Sequence, residues 1–273
     1  MKVFIGIVIG IVTALIGCAA IPLSRFISNM EKEPCNTCNG RTDCFAMKKA
    51  LFSKDENLSQ WMLFSFFRVR GKCDYVSRTK LSYITTYFIA NCILVTLAFW
   101  SKGAGITGVL CGITTAALLS LAVVDWNTQY IPLEMSGVIF VCGLIQLFAD
   151  FSNWFEYVIG LIAVSGFLLL VDKVATPILA KKHAGEELDS VIGDGDIKLM
   201  AATGLLLGWK LNFLALGIGC VAGSVIHLIR MKIKGSGAVL ALGPYLSLGV
   251  YITMICGEQL ISWYLNMLGV RPY

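Results

Sequence analysis

Two aspartates stand where this chain could do chemistry. Asp125 closes an apolar run in Val124-Asp125-Trp126-Asn127-Thr128-Gln129-Tyr130-Ile131-Pro132, and Asp196 opens another in Gly193-Asp194-Gly195-Asp196-Ile197-Lys198. Ionisable side chains at membrane depth are costly to keep, so they are default candidates for function. Two carboxylates a few ångströms apart can divide the work of hydrolysis. One keeps a proton and donates it to a scissile carbonyl, while the other ionises and takes a proton from water. Glycines at 193 and 195 leave a side-chain-free backbone along which an extended substrate could approach the acid. Taken singly, either aspartate is more often an ordinary helix cap or interface charge than a catalytic group, and Asp194 is a decoy beside Asp196. Other hydrolytic inventories are missing: the chain has only His183 and His227, no H-E-x-x-H pair and no G-x-S-x-G elbow. Gly243-Pro244 reads as a kink in the last helix.

The elements that must hold these acids are membrane helices. Of 273 residues, 57% are hydrophobic and 14% charged, against about 25% charged in an ordinary soluble domain, and the mean hydropathy is +0.76. The composition excludes a soluble single fold and predicts an all-α, polytopic membrane protein. A span needs about 20 apolar residues. That criterion predicts helices at 2–23, 83–100, 104–124, 132–149, 155–175, 211–229 and 238–265, with the short run 196–208 as an eighth. The net charge of +5 is a topology signal and not a nucleic-acid signal, because half of the 22 cations fall within 24–82. With eight helices and 24–82 inside, all cations except Lys2, Lys102, Lys210 and Arg271 sort to the cytoplasmic side. Both aspartates then lie at the same cytoplasmic face. The expected organisation is a first helix (1–23), a cytoplasmic cysteine-containing segment (24–82) and a membrane-embedded catalytic part (83–273).

Four of the ten cysteines, Cys35, Cys38, Cys44 and Cys73, lie in that cytoplasmic segment, which is too small and too polar to fold easily unaided. In a reducing compartment thiolates favour metal over disulfides. Cys35-Asn36-Thr37-Cys38 has the spacing of a zinc knuckle that two distant thiols would complete, with free thiols as the alternative. The other six cysteines sit in apolar helices as small hydrophobes. Leu15-Ile16-Gly17-Cys18 is similar to a lipoprotein signal, but that reading would export eleven cations, so Cys18 is taken as a packed helix residue.

Together these motifs resemble the bacterial type IV prepilin peptidases, membrane aspartyl proteases of the GxGD class. The resemblance rests on Asp125 with Ile131-Pro132, on Gly193 to Lys198 continued by Leu207-Gly208-Trp209-Lys210, on Ala241 to Gly249, and on Pro34 to Cys38 with Arg70 to Cys73. It covers nearly the whole chain. It implies cleavage of prepilin or pseudopilin leader peptides at the cytoplasmic face of the bacterial inner membrane, with Asp125 and Asp196 catalytic. Pro132, Gly193, Gly195 and Lys198 would be positioning residues. It further implies N-methylation of the new terminus with S-adenosylmethionine. The chain departs from the family pattern at Leu133-Glu134 after the Ile-Pro pair, and at Val76, where Cys44 is the substitute zinc ligand. Two other classes compete: an ion-coupled transporter using Asp125 and Asp196 as a proton relay, which predicts internal repeats that are not seen, and a methyltransferase or assembly subunit without proteolysis.

Overall fold

The computed structural model describes residues 2–32, 81–129, 131–182, 190–234 and 241–269. Cys35, Cys38, Cys44 and Cys73 lie outside the described residues, as does His183. Eight α-helices are formed among the described residues: α1 (Lys2–Lys32), α2 (Leu81–Lys102), α3 (Ile106–Thr128), α4 (Leu133–Ala149), α5 (Trp154–Lys182), α6 (Asp194–Leu207), α7 (Trp209–Lys234) and α8 (Gly243–Met267). A single 3-10 turn, Phe151–Asn153, leads into α5. Four segments are long and apolar enough to cross a membrane: Ile84–Lys102, Ile106–Trp126, Phe151–Ile178 and Trp209–Lys232. The protein is an all-α polytopic membrane protein.

Two helices are central. Of the four long spans, that of α3 is the most buried. α6 is only 14 residues, about 21 Å at 1.5 Å per residue, and is short for a span. Apart from Asp194 and Lys198 near its start it has no fully exposed residue, as expected of a helix apolar all round. Its side chains Ile197, Leu199, Met200 and Ala202 form the main core with Leu121 of α3, Ile139 of α4, Val164 of α5, Ala215 of α7 and Leu246 of α8. The remaining helices keep many large apolar side chains on the outer surface, among them Ile93, Phe148, Leu170 and Val221, a face suited to lipid.

Close helix approach depends on small residues, the usual device where no water drives helices together. A Cβ at Gly204 of α6 would lie 2.0 Å from the carbonyl oxygen of Gly160 of α5, and one at Gly160 would lie 2.2 Å from that of Gly204. Buried polar groups are paired locally at the α6–α7 turn. Thr203 Oγ1 donates to Asn212 Oδ1 at 2.9 Å, and Asn212 Nδ2 donates to the Met200 carbonyl at 2.8 Å. That brace fixes the sharp reversal at Gly208, whose φ is +79°.

The expected kink at Gly243-Pro244 is not there. α8 begins at Gly243, with Pro244 in its first turn, where a missing N–H costs nothing and the fixed φ suits the helix. The irregular backbone of α8 is instead at Cys256 (φ −128°, ψ 15°). The sequence reading placed the helix start too early, which moved the proline inside.

Candidate active site

Chain direction brings the two candidate acids to one end of the bundle. α3 runs toward that end and carries Asp125 in its last turn; α6 runs away from it and carries Asp196 in its first. The Asp125 carbonyl accepts the N–H of Gln129 at 2.8 Å, and Gln129, in the left-handed region at φ 52°, ends α3. The chain then passes Ile131 to the buried Pro132, the N-cap residue of α4. On the other side, the Gly193 carbonyl accepts the N–H groups of Asp196 (3.0 Å) and Ile197 (3.4 Å), which starts α6.

Both side chains are nearly removed from solvent: Asp125 is 3% exposed and Asp196 8%. They are close enough to interact electrostatically and line one cavity of about 730 Å³. Its walls combine apolar side chains, Ile131, Leu133, Val191, Ile192 and Leu242, with Ser136, Asp194 and Lys198. Asp196 Oδ1 has no hydrogen-bond partner among the described residues, although it is buried. An orphan acceptor of this kind is expensive unless a substrate or water meets it.

Of the two glycines expected to make room for substrate, Gly195 is held by packing and Gly193 is exposed. A Cβ at Gly195 would fall 2.7 Å from Ile131 Cβ, and one at Gly193 would fall 3.3 Å from Asp196 Oδ2. Pro132 is buried and is not among the residues that line the cavity, whereas Lys198, Gly193 and Asp194 are exposed at its edge. Sequence reasoning missed Gly243: a Cβ there would meet Asp125 Oδ2 at 2.6 Å and Ile131 Cδ1 at 3.2 Å. It also passed over Asp172, a third buried carboxylate, although an acid inside Leu168-Leu169-Leu170-Val171-Asp172 was a readable signal. Trp126, beside Asp125, carries Arg230 over its ring at 5.2 Å and packs edge-on against Tyr245 at 6.4 Å.

Among the described residues no group of three or more His, Cys, Asp or Glu side chains is placed to hold a metal ion. A second polar cavity, with Lys102, Asp150, Glu156, Lys210 and Glu258 in its walls, lies at the opposite end of the bundle. It is a helix length from the aspartates, too far to present S-adenosylmethionine to an amine released there.

A membrane-embedded helical bundle with two buried carboxylates on one cavity has the architecture of an aspartic-type membrane peptidase. The segment that carries both acids, residues 112–228, matches the family model of the type IV leader peptidase family. The chain is 27% identical over 213 residues to the prepilin leader peptidase/N-methyltransferase of Pseudomonas putida, covering 75% of this chain and 69% of that protein. The same figures hold for its counterpart in Aeromonas hydrophila. The Legionella pneumophila protein of that name is 26% identical over 261 residues, 89% of this chain and 82% of the relative. No solved structure matches the chain. These relatives are peptidases, and nothing among them favours the transporter reading.

Proposed function

We propose that this protein cleaves leader peptides from prepilins or pseudopilins, with Asp125 and Asp196 as the catalytic pair. The observation that carries the proposal is the burial of both carboxylates on one cavity, reached from opposite chain directions. Two like charges confined together share one proton. In the resting pair one carboxyl is protonated and polarises the scissile carbonyl by a hydrogen bond. The other, ionised, takes a proton from a water molecule as that water attacks the carbonyl carbon. Collapse of the tetrahedral intermediate breaks the C–N bond, and the leaving nitrogen takes its proton from the carboxyl that was charged in the first step. The apolar walls, Ile131, Val191, Ile192 and Leu242, exclude bulk water and favour an extended peptide backbone at the acids.

The site is assigned to the cytoplasmic face of a bacterial inner membrane, in a chain that crosses the membrane several times. Lys198 stands at the aspartate end, while Lys102 and Lys210 stand at the other, and the cations of 24–82 follow the first helix. This is the pattern of the positive-inside rule. N-methylation is a second proposed activity, supported by the names of the relatives. Zinc at Cys35, Cys38, Cys44 and Cys73 has no support among the described residues and enters no step.

The test is direct. Full-length protein in detergent micelles is incubated with a prepilin leader peptide, with and without S-adenosylmethionine, and the products are weighed by mass spectrometry. Cleavage at a single bond by the wild type, lost in Asp125→Asn and in Asp196→Asn, is expected. Cleavage that survives either substitution would remove the pair from the mechanism, and an intact peptide in every sample would remove the function.

A further inference from the structure

Asp172 takes no part in the chemistry just described, yet it is 8% exposed on α5, eight-tenths of the way along a candidate span. A lone carboxylate there needs compensation. Its Oδ1 finds it in the segment that leads into α6: the N–H groups of Val191 and Ile192 donate to it at 2.9 and 3.0 Å, and Ser190 Oγ at 3.0 Å. Thr176, one turn further along α5, donates its hydroxyl to the same oxygen at 3.1 Å and accepts from the Val191 N–H at 3.3 Å. The single hydroxyl hydrogen of Ser190 is shared between that oxygen and the Ile192 carbonyl, both within reach of Oγ. Three consecutive residues are therefore clasped by one carboxylate. Successive backbone N–H groups form an anion-binding nest, here filled from within the chain.

The position of this clasp gives it consequence. Ile192 is followed at once by Gly193, whose carbonyl starts α6, and Asp196 lies in the first turn so formed. Val191 and Ile192 themselves line the aspartate cavity. Beyond the Thr203–Asn212 brace at its far end, α6 is located by apolar packing, which resists separation more than it fixes rotation or sliding of its first turn by a fraction of an ångström. Charge-assisted hydrogen bonds are directional and about twice as strong as neutral ones. We propose that Asp172 is a positioning residue for the peptidase reaction, holding residues 190–192 so that the Asp196 carboxylate stands in register with Asp125. This rests on the two-aspartate reading above. A misplacement near 1 Å can cost about a hundredfold in rate, so loss of the clasp should act on kcat more than on KM.

The experiment uses the full chain in detergent micelles, with kcat and KM for a leader peptide, thermal unfolding, and amide hydrogen exchange over residues 190–197. Asp172→Ala should lower kcat at least about tenfold and speed exchange at Val191 and Ile192, with the unfolding temperature little changed. Asp172→Asn keeps an oxygen acceptor at the same place and should recover most of both effects. A purely structural acid gives a different result: Asp172→Asn as impaired as Asp172→Ala, with exchange raised throughout α5 and α6. That result, or wild-type kcat in Asp172→Ala, overturns the proposal. If Asp172→Ala does not fold, Thr176→Val carries the test: it should speed exchange at 190–192 alone, and unchanged exchange there overturns the proposal. Activity retained by Asp125→Asn in the same assay would sink the two-aspartate reading, whereas the exchange measurement judges the clasp without reference to activity.

Discussion

Gly243 presses its Cα against the carboxylate of Asp125, so closely that a Cβ there would lie 2.6 Å from Oδ2. Asp125 is thus walled by the start of α8, an element remote from it in sequence. Ile131 lies against Gly243 and against Gly195 as well, so one side chain in the cavity wall joins the two halves of the site. Gly243→Ala should push the carboxylate aside and reduce leader cleavage by tenfold or more, on the scale of a misplacement approaching 1 Å. Steady-state kinetics with thermal unfolding checks this; wild-type kcat in a folded variant would mean that Asp125 has room to move.

Asp194 and Asp196 share a helical turn but not an environment. Asp194 is exposed at the cavity edge and Asp196 is buried on it. Asp194→Asn should keep cleavage within a few-fold of wild type, whereas Asp196→Asn should lose the factor of about 10² to 10⁴ that a general acid or base supplies. The reverse order of severity would transfer the catalytic role to Asp194.

The two glycines before the helix should differ in sensitivity. Gly195→Ala places its methyl 2.7 Å from Ile131 Cβ, whereas Gly193→Ala meets Asp196 Oδ2 at 3.3 Å, a contact that a small side-chain rotation relieves. Gly195→Ala should therefore be the more damaging for cleavage. Because the atom struck is Cβ, shortening Ile131 to Ala should not rescue it. Rescue in the double variant would show that the clash is with the outer methyl groups.

Stability should depend most on the crossing of α5 and α6. A methyl at Gly204 would face the Gly160 carbonyl oxygen at 2.0 Å, a backbone atom that cannot swing away. Gly204→Ala should destabilise the fold by about 1–3 kcal/mol, the usual cost of overpacking. A lowered unfolding temperature in micelles is the expected reading. Gly217, with nothing within 4 Å of such a methyl, should accept alanine without loss.

Much of this protein was legible in one dimension because the bilayer imposes a one-dimensional rule. Backbone groups in hydrocarbon must be satisfied within the segment, so apolar runs become helices, and the eight among the described residues fall close to where hydropathy placed them, although α1 runs on to Lys32 and α8 starts only at Gly243. Charge asymmetry and the motifs around Asp125 and Asp196 made the two acids visible as candidates without coordinates. Helix parity put them at one end, since each helix reverses the direction of the last. What sequence could not supply were the lateral neighbours. Hydropathy along a membrane helix says that it is buried in something apolar, and lipid and protein are alike in that respect. Only the packed structure decides that α3 and α6 are central, that Gly243 closes over Asp125, and that Gly195 is required by Ile131. The clasp of Asp172 on residues 190–192 belongs to the same category. Its partners lie eighteen to twenty residues away, and no periodicity joins them. These contacts arise from side-to-side packing of helices, whose directional information is carried by single methyl groups and single hydrogen bonds and leaves almost no trace in composition or pattern.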